Sequence, residues 1–87
     1  GAEPAAALLA LTLPGDDAGF VDEFTAGFCA LADTHRVALV GGDTTRGPLA
    51  ASVTVMGYVP KGVALTRSSA RPGDDVWVTG TLGDAAG

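Results

Sequence analysis

The chain has 87 residues, 47% of them hydrophobic, with 13 glycines and a net charge of −5, a folded composition sufficient for one small domain rather than a disordered one. Its five basic residues form no patch or stripe, which argues against a nucleic-acid surface, and the single Cys29 excludes an internal disulfide or a cysteine-rich zinc site and fits a reducing compartment. No signal-peptide pattern is present and no run reaches the roughly 18 apolar residues needed to cross a bilayer, so a soluble, cytoplasmic protein without membrane contact is expected.

In chain order, Ala5 to Leu13 is an apolar run between Pro4 and Pro14, short enough and flanked in the right way for a buried strand. Asp16 and Asp17 follow in a turn. A carboxylate there can accept from the free amides of a following helix, so capping is the primary reading and a ligand role the alternative. From Phe20 to about Thr34 the apolar residues Phe20, Phe24, Phe28 and Leu31 recur at helical spacing, which predicts an amphipathic helix with the phenylalanines in the core. Cys29 and His35 lie six positions apart and cannot share a helix face. They read as a small hydrophobe and a helix-end residue.

Val37 to Val40 predicts a second strand, and it runs into Gly41-Gly42-Asp43-Thr44-Thr45-Arg46-Gly47-Pro48. Two glycines there imply a sharp turn or a close backbone approach. Asp43 is a hard oxygen ligand suited to Mg²⁺, while glycine amides and Arg46 are donors suited to phosphate. The same letters also describe an ordinary tight turn, because Asp can bond to its own backbone. A Walker A loop is excluded, since no Gly-Lys-Ser or Gly-Lys-Thr follows.

Leu49 to Val59 predicts a long strand with no charge on either face, one to be covered on both sides by helices or by a partner subunit; Gly57 within it suggests a bulge. Pro60 to Asp75 reads as a linker carrying Lys61, Arg67 and Arg71 as phosphate donors. Asp75 to Thr79 predicts another strand, and Thr81-Leu82-Gly83-Asp84 a loop opening a helix, with Thr81 or Asp84 as its cap. The element order describes an α/β or α+β domain and the beginning of a second one.

The segments GAEPAAALLALTLP at 1–14, GGDTTRGPLAASVTVMGYVPKG at 41–62 and RSSARPGDDVWVTGTLGDAAG at 67–87 resemble the middle of the thiamine-monophosphate kinases, members of the superfamily of aminoimidazole ribonucleotide synthetase and selenophosphate synthetase. The resemblance runs through the whole chain and implies an internal fragment. Residues 1–60 would be the C-terminal part of a mixed-sheet, ATP-binding, dimer-forming N-terminal domain, 61–72 a linker and 73–87 the start of a second α/β domain. The intact enzyme would use ATP and Mg²⁺ to convert thiamine monophosphate to thiamine diphosphate, as a homodimer whose sheets pair into a barrel-like core.

By the same resemblance, Asp43 would ligate magnesium, Gly42 would approach the nucleotide with its backbone and Arg67 would contact it, with Thr44 and Arg46 in support. No catalytic residue falls within the chain. Ser69 stands where these enzymes commonly have Gly, and at a positive φ it would cost roughly 1 kcal/mol or more. Their other metal-binding aspartates lie in regions before and after this segment, so the piece alone is expected to be inactive. The alternatives are another ATP-using enzyme of the superfamily and a non-catalytic α/β interaction module.

Overall fold

A computed structural model describes residues 1–83. Its elements are β1 (Glu3–Leu13), α1 (Ala18–Thr34), β2 (Ala38–Arg46) and β3 (Ala50–Tyr58), in one sheet of order β2-β1-β3. β1 is central, parallel to β2 and antiparallel to β3. The parallel pairing follows from the helix between the two strands, because only a crossover of that length returns the chain to run in the same direction.

Alternation along β1 separates the two faces of the sheet. Ala7, Leu9, Leu11 and Leu13 are buried, at 1%, 7%, 4% and 8% exposure, and form the core. Leu8 and Ala10 point the opposite way and are exposed. α1 covers the first face. Phe20, Phe24 and Phe28 are half-buried, not fully enclosed, and Leu31 is 65% exposed, so the predicted stripe faces the sheet but overhangs it. Phe20 and Phe24 stack with centroids 5.8 Å apart and rings tilted by 31°, within the range in which aromatic pairs add to burial.

Both ends of α1 are closed by identifiable groups. Asp17 is the N-cap, its Oδ1 accepting from the Phe20 amide at 2.9 Å, which satisfies one of the helix's free donors. At the other end His35 is the C-cap and Arg36 adopts φ 55°. The Arg36 amide donates to the Asp33 carbonyl at 3.1 Å and that of Val37 to the Ala32 carbonyl at 2.9 Å. This is a Schellman motif with arginine at the left-handed position usually given to glycine.

Two expectations are corrected, the sharp turn at Gly41-Gly42 and the strand at 75–79, while the close backbone approach at Gly42 and the bulge at Gly57 are present. The chain does not turn at Gly41-Gly42: β2 continues through both glycines and Asp43 to Arg46, because these residues pair with Leu8, Leu9 and Ala10 of β1. The irregularity is instead one extra residue, Val40, where the register steps from Ala7↔Leu39 to Leu8↔Gly41. The bulge beside Gly57 carries its extra residue on β1, at Ala5, between the pairs Pro4↔Gly57 and Ala6↔Met56; a Cβ on Gly57 would overlap the Glu3 carbonyl oxygen. The strand expected over Asp75–Thr79 does not form. Val76, Trp77 and Val78 are 93%, 88% and 59% exposed, and a β-branched sequence without a partner strand cannot satisfy its backbone in a ladder.

Residues 59–83 carry only turns, closed by amide-to-carbonyl bonds from Val63 to Pro60, Ser69 to Thr66 and Asp74 to Arg71 at 3.1–3.3 Å. The segment is stretched out from the sheet. The radius of gyration is 16.8 Å, against about 12 Å for a compact chain of this length. The predicted helix opening at Asp84 lies outside the described residues. Among those described, no helix is long and apolar enough to cross a membrane.

Among the described residues neither face of β3 is covered. Val53 and Val55 line an apolar groove with Phe28 and Leu31 of α1 and remain 49% and 61% exposed, while Met56 and Tyr58 on the opposite face are 42% and 75% exposed.

Candidate functional site

Because β2 is an edge strand, the backbone and side chains of Gly41 to Arg46 are accessible from both faces and from one side. Gly42 has φ 155° and lies against Leu9 of β1, where a Cβ would overlap the Leu9 carbonyl oxygen. Glycine at this position is therefore required by the neighbouring strand, independently of any ligand. Gly41 is less constrained, since a Cβ there would meet only the Leu8 Cδ2 atom, at 3.3 Å.

Asp43 pairs with Ala10 and so shares the face opposite the helix. Its Oδ1 accepts from the Thr44 amide at 2.8 Å. That bond fixes one carboxylate oxygen to the strand's own backbone. Among the described residues Oδ2 takes no hydrogen bond, and the exposed carboxylate presents it to solvent.

Thr44 pairs with Leu11 and turns toward the helix. There it lines an open cleft of about 520 Å³ together with Gly42, Asp43, and Val21 and Thr25 of α1. Arg46 pairs with Leu13 at the end of β2 and lines a smaller cavity of about 240 Å³ with Asp16, Thr44 and Thr45. Both parallel strands end here, the position at which open α/β sheets characteristically bind ligands.

The structure thus brings Gly42, Asp43 and Thr44 together, with Arg46 at the adjoining strand end. It does not bring Arg67 to them. Arg67 is exposed in the Thr66–Ser69 turn and lines neither cavity. That turn also settles how serine is tolerated at 69. The Ser69 hydroxyl accepts from the Thr66 amide at 3.2 Å and donates to the Thr66 carbonyl at 2.8 Å. Among the described residues Arg36 is the only non-glycine at positive φ, so Ser69 carries no left-handed strain. No group of three or more His, Cys, Asp or Glu side chains among the described residues is placed to hold a metal ion.

Sequence reasoning missed Thr12 and Thr45. They pair across β1 and β2, with their Oγ1 atoms 3.1 Å apart, on the face that carries Asp43. The spacing of Asp43 and Thr45 signals a common face, but the partnership with Thr12 becomes visible only once the bulge at Val40 sets the register.

A sequence profile for AIR synthase related proteins, N-terminal domain, matches residues 1–59. The thiamine-monophosphate kinase of Escherichia coli (strain K12) is 50% identical over 86 residues, which cover 99% of this chain and 26% of that protein. The thiamine-monophosphate kinase of Haemophilus influenzae is 40% identical, again over 99% of this chain and 26% of the relative. Among solved structures, the thiamine-monophosphate kinase from Stenotrophomonas maltophilia K279a superposes with a TM-score of 0.79 at 59% identity, covering 98% of this chain and 27% of that one. A structure of AaThiL complexed with AMPPCP and TMP superposes with a TM-score of 0.61 at 29% identity, over 66% of this chain and 19% of that one. The chain spans about a quarter of the length of the curated relatives it matches.

Proposed function

The chain belongs to the family of AIR synthase related proteins, whose N-terminal domain its residues 1–59 match, and we propose that it is part of an ATP-dependent kinase that phosphorylates thiamine monophosphate to thiamine diphosphate. The observation that carries this reading is the extent of the likeness. It continues beyond the matched domain, to 99% of the chain at 50% identity to a thiamine-monophosphate kinase, so the turn segment that carries Arg67 belongs to it as well as the sheet.

The site fits the chemistry. Mg²⁺ is commonly held by one or two carboxylates together with waters and the phosphates of a bound nucleotide. A single exposed carboxylate with one oxygen anchored to Thr44 and the other facing solvent is suited to that role. When bound, the ion would offset the negative charge of the transferring phosphate. Asp43 is the proposed ligand, Gly42 the proposed backbone contact to the nucleotide, and Thr44 and Arg46 supporting donors. Arg67 joins them only if the segment after β3 folds back toward β2, which couples nucleotide binding to the placement of that segment.

The same reading divides the chain into the sheet domain at 1–60, a linker at 61–72 and the start of a second domain at 73–87. It makes the protein a cytoplasmic homodimer and leaves this chain by itself inactive, since one carboxylate and two arginines do not assemble a phosphoryl-transfer site.

The test is to incubate the full-length protein with ATP, Mg²⁺ and thiamine monophosphate and to quantify ADP and thiamine diphosphate by chromatography. Equimolar formation of the two is expected. Turnover with a different monophosphate and none with thiamine monophosphate would assign the protein to another activity of the superfamily. Absence of nucleotide binding would leave an interaction module. Sedimentation of the full-length protein at micromolar concentration tests the dimer, and a clean monomer would overturn it.

A further inference from the structure

We infer that the hydroxyl pair Thr12–Thr45 is a positioning device for whatever Asp43 holds, with Thr45 presenting its oxygen to the water shell of a divalent cation bound at that carboxylate. The inference rests on the proposed metal role of Asp43.

Cross-strand registers place the side chains on the open face of the sheet in rows. Asp43, Ala10 and Ser52 form one row, and Thr45, Thr12 and Ala50 the next. Ala10, with only a methyl group, sits between the oxygen-bearing side chains. Thr45 is exposed and Thr12 half-buried, and their Oγ1 atoms are 3.1 Å apart, with either able to donate.

A threonine hydroxyl has one proton and two lone pairs. A mutual hydrogen bond uses one proton and one lone pair, so the pair keeps one donor and several acceptor positions for a third partner. If Thr12 donates, Thr45 retains its proton and is held in one rotamer by its neighbour. Held hydroxyls of this kind, outside the direct ligand set, orient bound groups and tune affinity.

The separation favours an indirect contact. Two residues along a strand span roughly 6.7 Å between Cα atoms, and among the described residues no direct hydrogen bond joins Asp43 to Thr45, whose side chains are bonded to the Thr44 amide and to Thr12 instead. That span is a gap that retained water fills, and Mg²⁺ usually keeps several of its waters. Within this chain the pair lies on the face away from the core, where two valines would satisfy strand propensity as well.

The experiment uses the full-length protein with AMPPCP present, and Mn²⁺ as the probe, its free concentration followed by electron paramagnetic resonance. Four variants are compared with the parent: Thr45→Val, Thr45→Ser, Thr12→Val and Asp43→Asn. Thr45→Val is expected to weaken Mn²⁺ binding three- to tenfold, Thr12→Val to do so less, and Thr45→Ser to bind like the parent. Unchanged binding in Thr45→Val while Asp43→Asn loses affinity would overturn the pair's role and leave the carboxylate's intact. Unchanged binding in Asp43→Asn as well would remove the metal site itself. Equal loss in Thr45→Ser and Thr45→Val would show that the methyl packing matters and the hydroxyl does not, again overturning the inference. If Thr45→Val does not fold, Thr12→Val decides, since it removes the same hydrogen bond from the other side.

Discussion

Gly42 lies so close to Leu9 that the first carbon of any side chain would coincide with the Leu9 carbonyl oxygen. Gly42→Ala should therefore destabilise the protein by about 2–3 kcal/mol, because β1 is the central strand and its backbone cannot retreat without disturbing its pairing on the other side. Gly41→Ala is the control. Its new methyl would meet only the mobile end of Leu8, at 3.3 Å, and the loss should stay below about 1 kcal/mol. Denaturant midpoints of the two full-length variants measure the difference.

Asp43→Asn should lower turnover with ATP and Mg²⁺ at least tenfold in the full-length protein while leaving unliganded stability unchanged. The amide keeps an oxygen that can accept from the Thr44 amide, as Oδ1 does at 2.8 Å, but it loses the charge that favours a cation. Raising Mg²⁺ should recover part of the loss by mass action. Kinetics across a magnesium series, with thermal unfolding as the fold control, give the answer; equal rates throughout would remove Asp43 from the site.

Arg36→Gly should stabilise the protein by about 0.5–1 kcal/mol. Arg36 occupies φ 55° at the end of α1, a conformation that costs an L-residue about 1 kcal/mol and glycine nothing, with part of the gain returned as greater freedom of the unfolded chain. Arg36→Ala separates backbone from charge, since alanine pays the same conformational cost and should give no gain. Chemical denaturation of both variants is the measurement.

Phe24→Ala should cost about 1.5–3 kcal/mol, below the 3–5 kcal/mol typical of a fully enclosed phenylalanine. The ring is half-buried and shares its contact with Phe20, 5.8 Å away between centroids. A loss as large as that of an enclosed ring would show that parts of the full-length protein beyond this chain cover α1.

The elements carried by local chemistry were legible in advance. Pro14 ends β1, the Phe20-Phe24-Phe28 spacing marks the inner side of α1, and Asp17 stands where a cap must stand; the structure has all three, although β1 begins at Glu3 and runs through Pro4 rather than starting after it. What escaped depends on pairing. Gly41-Gly42 has the letters of a turn, but β1 recruits both residues into a ladder, and the reason for glycine lies in Leu9, more than thirty positions earlier. Asp75 to Thr79 has strand letters and, among the described residues, no neighbour to pair with. Within the candidate site, Asp43 stood out by residue type, whereas the Thr12–Thr45 contact needed the register.

The position of β1 between two later strands has a consequence for biosynthesis. β1 is translated before both of its partners: β2 is complete only after the whole of α1 has followed, and β3 only at Tyr58. Until then both of its edges lack these partners. From Ala5 to Leu13 it carries no charge and no proline, the composition of a segment that associates with copies of itself when left unpaired. Nascent chains on neighbouring ribosomes would present the same run at the same moment. Early docking of α1 over Leu9, Leu11 and Leu13 shields one side of β1, but neither edge, so the delay between Leu13 and Tyr58 is the interval in which this strand is most exposed to misassembly and to capture by chaperones.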